Sequence, residues 1–196
     1  MLLAGTLQTL DTETTGMSPA QGHALVEVAR VAIVDGVIGE TWSSLVKPGR
    51  AIPPDAAAVH GITDAMVADA PLPGDVGRAL CDGCGAAPLV LHNATFDMPF
   101  LNAMLRGAGL PLLWNPVIDT LGLARGLFGT GSNSLGALAT RHALPKEPAH
   151  RALGDALTTA RLFLLLAERW EREKGVTSLA ELAAVSQDVV RLTGRR

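Results

Sequence analysis

The chain has 196 residues, with 16 Lys plus Arg against 19 Asp plus Glu, a formal charge of −3 and 48% apolar residues, which describes one compact domain with a sizeable core. Its longest fully apolar stretches, such as Leu162 to Ala167, fall far short of the roughly 18 residues that a membrane-spanning helix needs, so a transmembrane protein is excluded. Met1 to Leu7 is apolar but has no basic lead-in and runs straight into a polar acidic segment, which reads as a cytoplasmic chain. The near-neutral charge also lacks the basic stripe that dominates non-specific duplex binding, so any nucleic-acid ligand must be held by something other than bulk charge.

In chain order, Leu7 to Asp11, Ala24 to Val34 and Gly36 to Val46 read as strands, rich in β-branched and apolar residues, with Asp35-Gly36 supplying a hairpin turn. Lys47 to Pro54 holds three prolines and a glycine and reads as a loop, and Pro71 to Gly74 is a second break before a helical stretch at Asp75 to Ala86. A short buried strand follows at Pro88 to His92, then a helix at Thr95 to Arg106, then a strand at Val117 to Asp119. Ser134 to His142 opens with a serine cap ahead of apolar residues at 135, 138 and 139. From Ala149 to Trp170 apolar residues at 153, 156, 157, 160 and 164 mark one face of a long helix, and a last helix repeats the pattern at 179, 182, 185 and 189. Three strands followed by alternating helices and strands predict an α/β layer fold with a mixed sheet. The division drawn is a main domain over residues 1–173 and a short C-terminal helical tail over 174–196.

Cys81 and Cys84 stand in C-x-x-C spacing, which suits zinc or redox chemistry, but the five histidines are not spaced to complete a closed zinc site beside them. Plain core or surface residues are the alternative.

Asp11 and Glu13 lie two apart on the first strand, so alternation puts both carboxylates on one face. Two such charges repel unless a cation neutralises them, and hard divalent ions favour carboxylate oxygens; alternatively the pair caps a solvated strand edge before Thr14-Thr15-Gly16. Asp97 sits on the first turn of the helix after the strand at 88–92, where it either complements the helix dipole or joins a site. Asp155 lies on the long helix between Gly154 and Ala156, on a packed face where an unpaired carboxylate costs several kcal/mol. His150 and Asp155 cannot share a helix face, so the histidine is placed on the loop before the helix, with a pKa suited to a general base. Glu27 is either a carboxylate supporting these groups or a strand-edge charge.

Together, Leu10-Asp11-Thr12-Glu13-Thr14-Thr15-Gly16, Val59-His60-Gly61-Ile62-Thr63, His92-Asn93-Ala94-Thr95-Phe96-Asp97 and His150-Arg151-Ala152-Leu153-Gly154-Asp155 resemble the DEDDh (DnaQ-like) 3′ to 5′ exonucleases, and within them the proofreading epsilon branch of bacterial DNA polymerase III. The resemblance covers residues 7 to 170, with four motifs in the right order and spacing. It implies a ribonuclease H-like fold with a mixed five-stranded sheet flanked by helices. Asp11, Glu13, Asp97 and Asp155 are implied to hold two Mg²⁺ or Mn²⁺ ions, with His150 as general base. A sister branch uses tyrosine there, and this chain has none. Thr14, His60 and Phe96 are implied to line the pocket for the 3′-terminal nucleotide, with Asn93 a supporting or backbone-bonding residue; Phe96 is otherwise a core residue of its helix. Stacking on one aromatic is worth about 1 to 3 kcal/mol per base and tolerates any sequence.

The implied reaction releases nucleoside 5′-monophosphates from single-stranded or frayed 3′ ends, in proofreading or repair. Two other readings stay open: a stand-alone enzyme trimming RNA or oligoribonucleotides, and a non-catalytic nuclease-like tether. The implied partners are a single-stranded nucleic acid 3′ end and the polymerase III alpha subunit, for which family proofreaders carry an extension longer than this tail. Within the tail, Gln187 to Leu192 is only vaguely like a sliding-clamp peptide and reads instead as a helix packing on the domain, followed by a basic end at Arg195 and Arg196.

Overall fold

The computed structural model describes residues 2–193, and side chains as far as 187. Arg191, Arg195, Arg196 and most of the 187–192 segment therefore lie outside the described side chains. Five strands form one sheet: β1 (Thr6–Thr14), β2 (Leu25–Val34), β3 (Val37–Leu45), β4 (Leu89–Leu91) and β5 (Val117–Asp119), in the spatial order β3-β2-β1-β4-β5. β1 and β2 pair antiparallel, as do β2 and β3, whereas β4 lies parallel to both β1 and β5. The sheet is thus mixed, as the sequence predicts. The register of β1 against β2 shifts between Glu13 and Thr14, a bulge at the end of the strand that carries both acidic residues.

Around the sheet run α1 (Pro54–His60), α2 (Asp64–Val67), α3 (Pro73–Cys84), α4 (Ala94–Gly107), α5 (Thr120–Phe128), α6 (Leu135–Arg141), α7 (Ala152–Lys174) and α8 (Leu179–Thr193). None of the described helices is long and apolar enough to cross a membrane. Strand alternation separates two cores. On one face Leu7, Val31, Ile33, Val90 and Ile118 pack against Ala156, Ala160, Phe163 and Leu166 of α7, with Leu123 of α5 and Leu182 of α8. On the other, Leu10, Val28, Leu89 and Leu91 meet Val76 and Leu80 of α3 and Phe100, Leu101 and Leu105 of α4. The result is three layers, helix on sheet on helix.

Four helices depart from the sequence reading. α1 starts at Pro54, the last residue assigned to the loop, because proline's fixed φ suits a first helical position and Ala56 to Ala58 follow. α2 is a single turn, too short to show a period. α5 starts directly after β5 with no connecting loop, since the Asp119 carboxylate accepts the Leu121 N–H at 2.9 Å. The long helix begins at Ala152, three residues later than read, because Pro148 and the left-handed His150 (φ 57°) precede it. Ser134 caps α6 as expected, accepting from the Ala137 N–H.

The C-terminal helix packs on the domain, as the sequence reading has it. Leu182 is fully buried in the first core, and the Ser186 hydroxyl accepts the Asp119 N–H at 3.1 Å, so α8 closes the end of the sheet beside β5 and α5. Gly122 makes this contact possible, because a Cβ there would stand 1.9 Å from the Ser186 carbonyl oxygen. Gly122→Ala is expected to destabilise the protein by about 1 to 3 kcal/mol through overpacking, read as a lower denaturant midpoint with an unchanged slope.

Candidate active site

Asp11 and Glu13 project from the end of β1, and α7 brings Asp155 to them: each of the three offers a carboxylate oxygen, all lying within 4.8 Å of one another. Asp97, in the first turn of α4, lines the same cleft and is held by the Thr12 hydroxyl, which donates to its Oδ1 at 2.6 Å. The cleft has a volume of about 550 Å³ and is also lined by Asn93, Phe96 and His150. All five residues implied for catalysis therefore meet in one place, although they come from three separate stretches of chain.

The electrostatics of the cluster follow from burial and like charge. Burial first, then Asp155, Glu27 and Asp97, push Glu13 up to about 8, while Arg151 pulls the other way. Asp11 is raised well above its usual range, by burial and then by Asp97, Asp155 and Glu13. Asp97 rises to about 7 through burial, against the opposing hydrogen bond from Thr12. The donor set is all hard oxygen and short of positive charge, which fits Mg²⁺ or Mn²⁺ rather than a thiolate-loving ion. Cys81 and Cys84 are far from such a role: both sit on α3, and burial pushes the Cys84 thiol up to about 12.

The loop ahead of α7 places His150, exposed and in the left-handed region, on the rim of the cleft. Its N–H donates to Asp155 Oδ2 at 3.0 Å, so the acidic side chain also fixes the loop. Gly154 is needed here: a Cβ would lie 2.0 Å from the Pro148 carbonyl oxygen, so the missing side chain lets the loop backbone close against the helix.

The residues implied for nucleotide binding divide. Phe96 lines the cleft while its ring also packs on Phe100 at 5.3 Å. Asn93 adopts φ 67° at the start of α4, and its N–H donates to Asp119 Oδ1 at 2.9 Å. Thr14 and His60 lie outside the lining of the cleft: Thr14 donates to the Gly16 carbonyl, and buried His60 accepts the Ile62 N–H through Nδ1, its other ring nitrogen having no partner among the described residues.

Three further residues support the site. Buried Asp119 accepts the N–H groups of Asn93, Ala94 and Leu121, anchoring the starts of α4 and α5 together. His92 lines the cleft with Nδ1 2.9 Å from the Thr120 hydroxyl, and burial depresses its pKa to about 4, so it is neutral. Glu27 proves to be a supporting carboxylate rather than an edge charge: it is buried and accepts from Nε and Nη2 of Arg151, at 3.0 and 2.6 Å, and from the Ala152 N–H at 2.9 Å. A signal for Asp119 existed, an aspartate directly ahead of a helical pattern, but its reach to α4 did not.

A protein-family model described as an exonuclease, RNase T, matches residues 9–163 of this chain. The chain belongs to the RNase T exonuclease family. A DNA polymerase III subunit epsilon of Pasteurella multocida is 34% identical over 93% of the chain and 81% of its own length. A DNA polymerase III subunit epsilon-like protein of Rhodobacter capsulatus is 46% identical over 82% of the chain, which spans only 23% of that longer protein. Among solved structures, Exonuclease X in complex with 5′ overhanging duplex DNA superposes with a TM-score of 0.74 at 33% identity, over 92% of this chain and 99% of that one. The chain is a 3′ to 5′ exonuclease of ribonuclease H-like fold, as its motifs imply.

The raised carboxylate pKa values set a direction for stability. Groups whose folded pKa lies above the unfolded value of about 4 hold extra protons in the folded state, so metal-free stability falls as pH rises from about 5 through the value of about 8 for Glu13. Metal-free melting temperature is expected to drop over that range, and Glu13→Gln to reduce the drop. Millimolar Mn²⁺ is expected to raise the wild-type melting temperature most at the alkaline end, because ions that bind only the folded site stabilise it by mass action. A curve flat with pH and unmoved by Mn²⁺ would remove the carboxylates from consideration as a metal site.

Proposed function

We propose that this exonuclease removes nucleotides one at a time from single-stranded or frayed 3′ DNA ends, with two divalent ions, Mg²⁺ or Mn²⁺, held by Asp11, Glu13, Asp97 and Asp155. The observation that carries the proposal is the gathering of Asp11, Glu13 and Asp155 oxygens within 4.8 Å, in a cleft that also holds Asp97 and His150. Bound there, such ions lower the pKa of an attacking water and offset charge on the phosphate and the departing oxygen. His150, on the rim, takes the proton of that water. Phe96 offers an aromatic face for the terminal base or sugar, Asn93 shapes the adjoining backbone, and Thr14 and His60 complete the set that binds the 3′-terminal nucleotide. Products are nucleoside 5′-monophosphates.

DNA is favoured as substrate because a relative at 34% identity is a polymerase III subunit and a structural neighbour at 33% identity holds duplex DNA. The same relative supports a cytoplasmic role in proofreading or repair, with the polymerase III alpha subunit as partner. We place the exonuclease unit over residues 1–173, with α8 of the C-terminal segment packed against it.

Digestion of matched labelled DNA and RNA oligonucleotides by the purified chain tests the reading. DNA is expected to be shortened from its 3′ end with release of 5′-monophosphates, and Asp11→Ala or Asp155→Ala to abolish this in a folded protein. Preference for RNA would move the substrate to oligoribonucleotides, and absence of cleavage with either would favour a tether. His150→Gln is expected to lower turnover by about 10² to 10⁴, the usual contribution of a general base, with the Mn²⁺-induced rise in melting temperature retained. Loss of that rise would make His150 a ligand.

A further inference from the structure

Glu27 lies on β2 directly opposite Glu13 of β1, and it adds to the repulsion felt by Glu13 and by Asp11. A fold built for stability alone has little reason to bury a further carboxylate beside three that already repel, because a buried ion pair is often matched or bettered by apolar residues of similar volume. The bonds that Glu27 makes give the reason. Arg151, 124 residues along the chain, approaches with both Nε and Nη2, the fork geometry that fixes a carboxylate in plane. The same Oε2 accepts the Ala152 N–H, one of the otherwise unpartnered donors at the start of α7.

From Arg151 the connection runs to the reacting groups within one turn. Its carbonyl accepts the Asp155 N–H at 3.0 Å, and the Asp155 carboxylate in turn accepts the His150 N–H at 3.0 Å. The ring Glu27, Arg151, Asp155, His150 thereby ties the start of α7 to β2, which is paired to the strand carrying Asp11 and Glu13. Arg151 also brings a positive charge to Glu13.

We propose that Arg151 and Glu27 are a pair of positioning residues: their two-pronged contact holds Asp155 and His150 in register with Asp11 and Glu13, and so sets the rate of hydrolysis without touching substrate. This rests on the reading of Asp155 as a metal ligand and His150 as a base.

The test compares wild type with Glu27→Gln, Arg151→Lys, Arg151→Ala and the double variant Glu27→Gln/Arg151→Ala on a 3′-labelled DNA oligonucleotide, with Asp155→Ala as inactive control. Each single variant is expected to lose on the order of 10- to 100-fold in kcat, the usual result of losing a group that orients metal-binding side chains, with KM little changed. The double variant is expected to be no slower than the worse single one, because both remove one contact. Arg151→Lys keeps the charge but not the fork, so it is expected to stay slow. Amide exchange at residues 150–156, which does not depend on activity, is expected to quicken in Glu27→Gln.

A purely structural pair would lower the melting temperature while folded molecules turned over at the wild-type rate, and that result overturns the proposal. So would effects that add in the double variant, full rescue by lysine, or unchanged exchange at residues 150–156. Glu27→Gln and Arg151→Lys alter shape least and give the answer if the alanine variants do not fold. An inactive wild type with quickened exchange in Glu27→Gln would instead place the failure in the proposed function and leave the positioning contact standing.

Discussion

Holding like charges together is the constraint around which this molecule is arranged. Three carboxylate oxygens within 4.8 Å of one another, with a fourth acid in the same cleft, repel in the absence of ions, and the fold must supply the force that keeps them there. It does so with backbone. β1 is the central strand of the sheet, paired on both sides, so Asp11 and Glu13 cannot retreat without breaking a ladder. α4 is fixed at its start by Asp119 and α7 by Glu27, each a carboxylate that accepts helix-start N–H groups. Acidic side chains thus fall into two sets here: one is clustered and suited to cations, and another is already satisfied by amides and guanidinium.

Small residues do the complementary work of letting backbones meet. Gly154 admits the Pro148 carbonyl beside Asp155, and Gly122 admits the Ser186 carbonyl beside Asp119. In both places a glycine stands near a functional or supporting aspartate, and in both the approach is backbone on helix, which no side chain could replace without displacing the loop or helix opposite.

The strands, the long helix and the five acid and base residues were legible in the sequence, because strand alternation, helical spacing and four ordered motifs all leave marks along the chain. The short helices α1, α2 and α5 were not. α2 has too few residues to show a period, and α5 begins on a cap that is also the last residue of a strand. His60 and Thr14 belong to motifs of the family, but a motif records which residues belong together and not the contacts each one makes: Thr14 donates to the Gly16 carbonyl and His60 accepts the Ile62 N–H. Glu27 stood open between two readings because its partner is 124 residues away, and only the fold shows that distance closed.

That separation also orders events in time. A ribosome delivers the strand bearing Asp11, Glu13 and Glu27 long before it delivers Arg151 and Asp155, so for most of synthesis the sheet face that will become the site holds neither its third clustered carboxylate nor the arginine beside it. The acidic cluster is complete only with α7 in place, and α8, the next element along the chain, covers the adjoining sheet end through Ser186. An unfinished chain that still lacks α7 therefore carries only part of the acidic cluster.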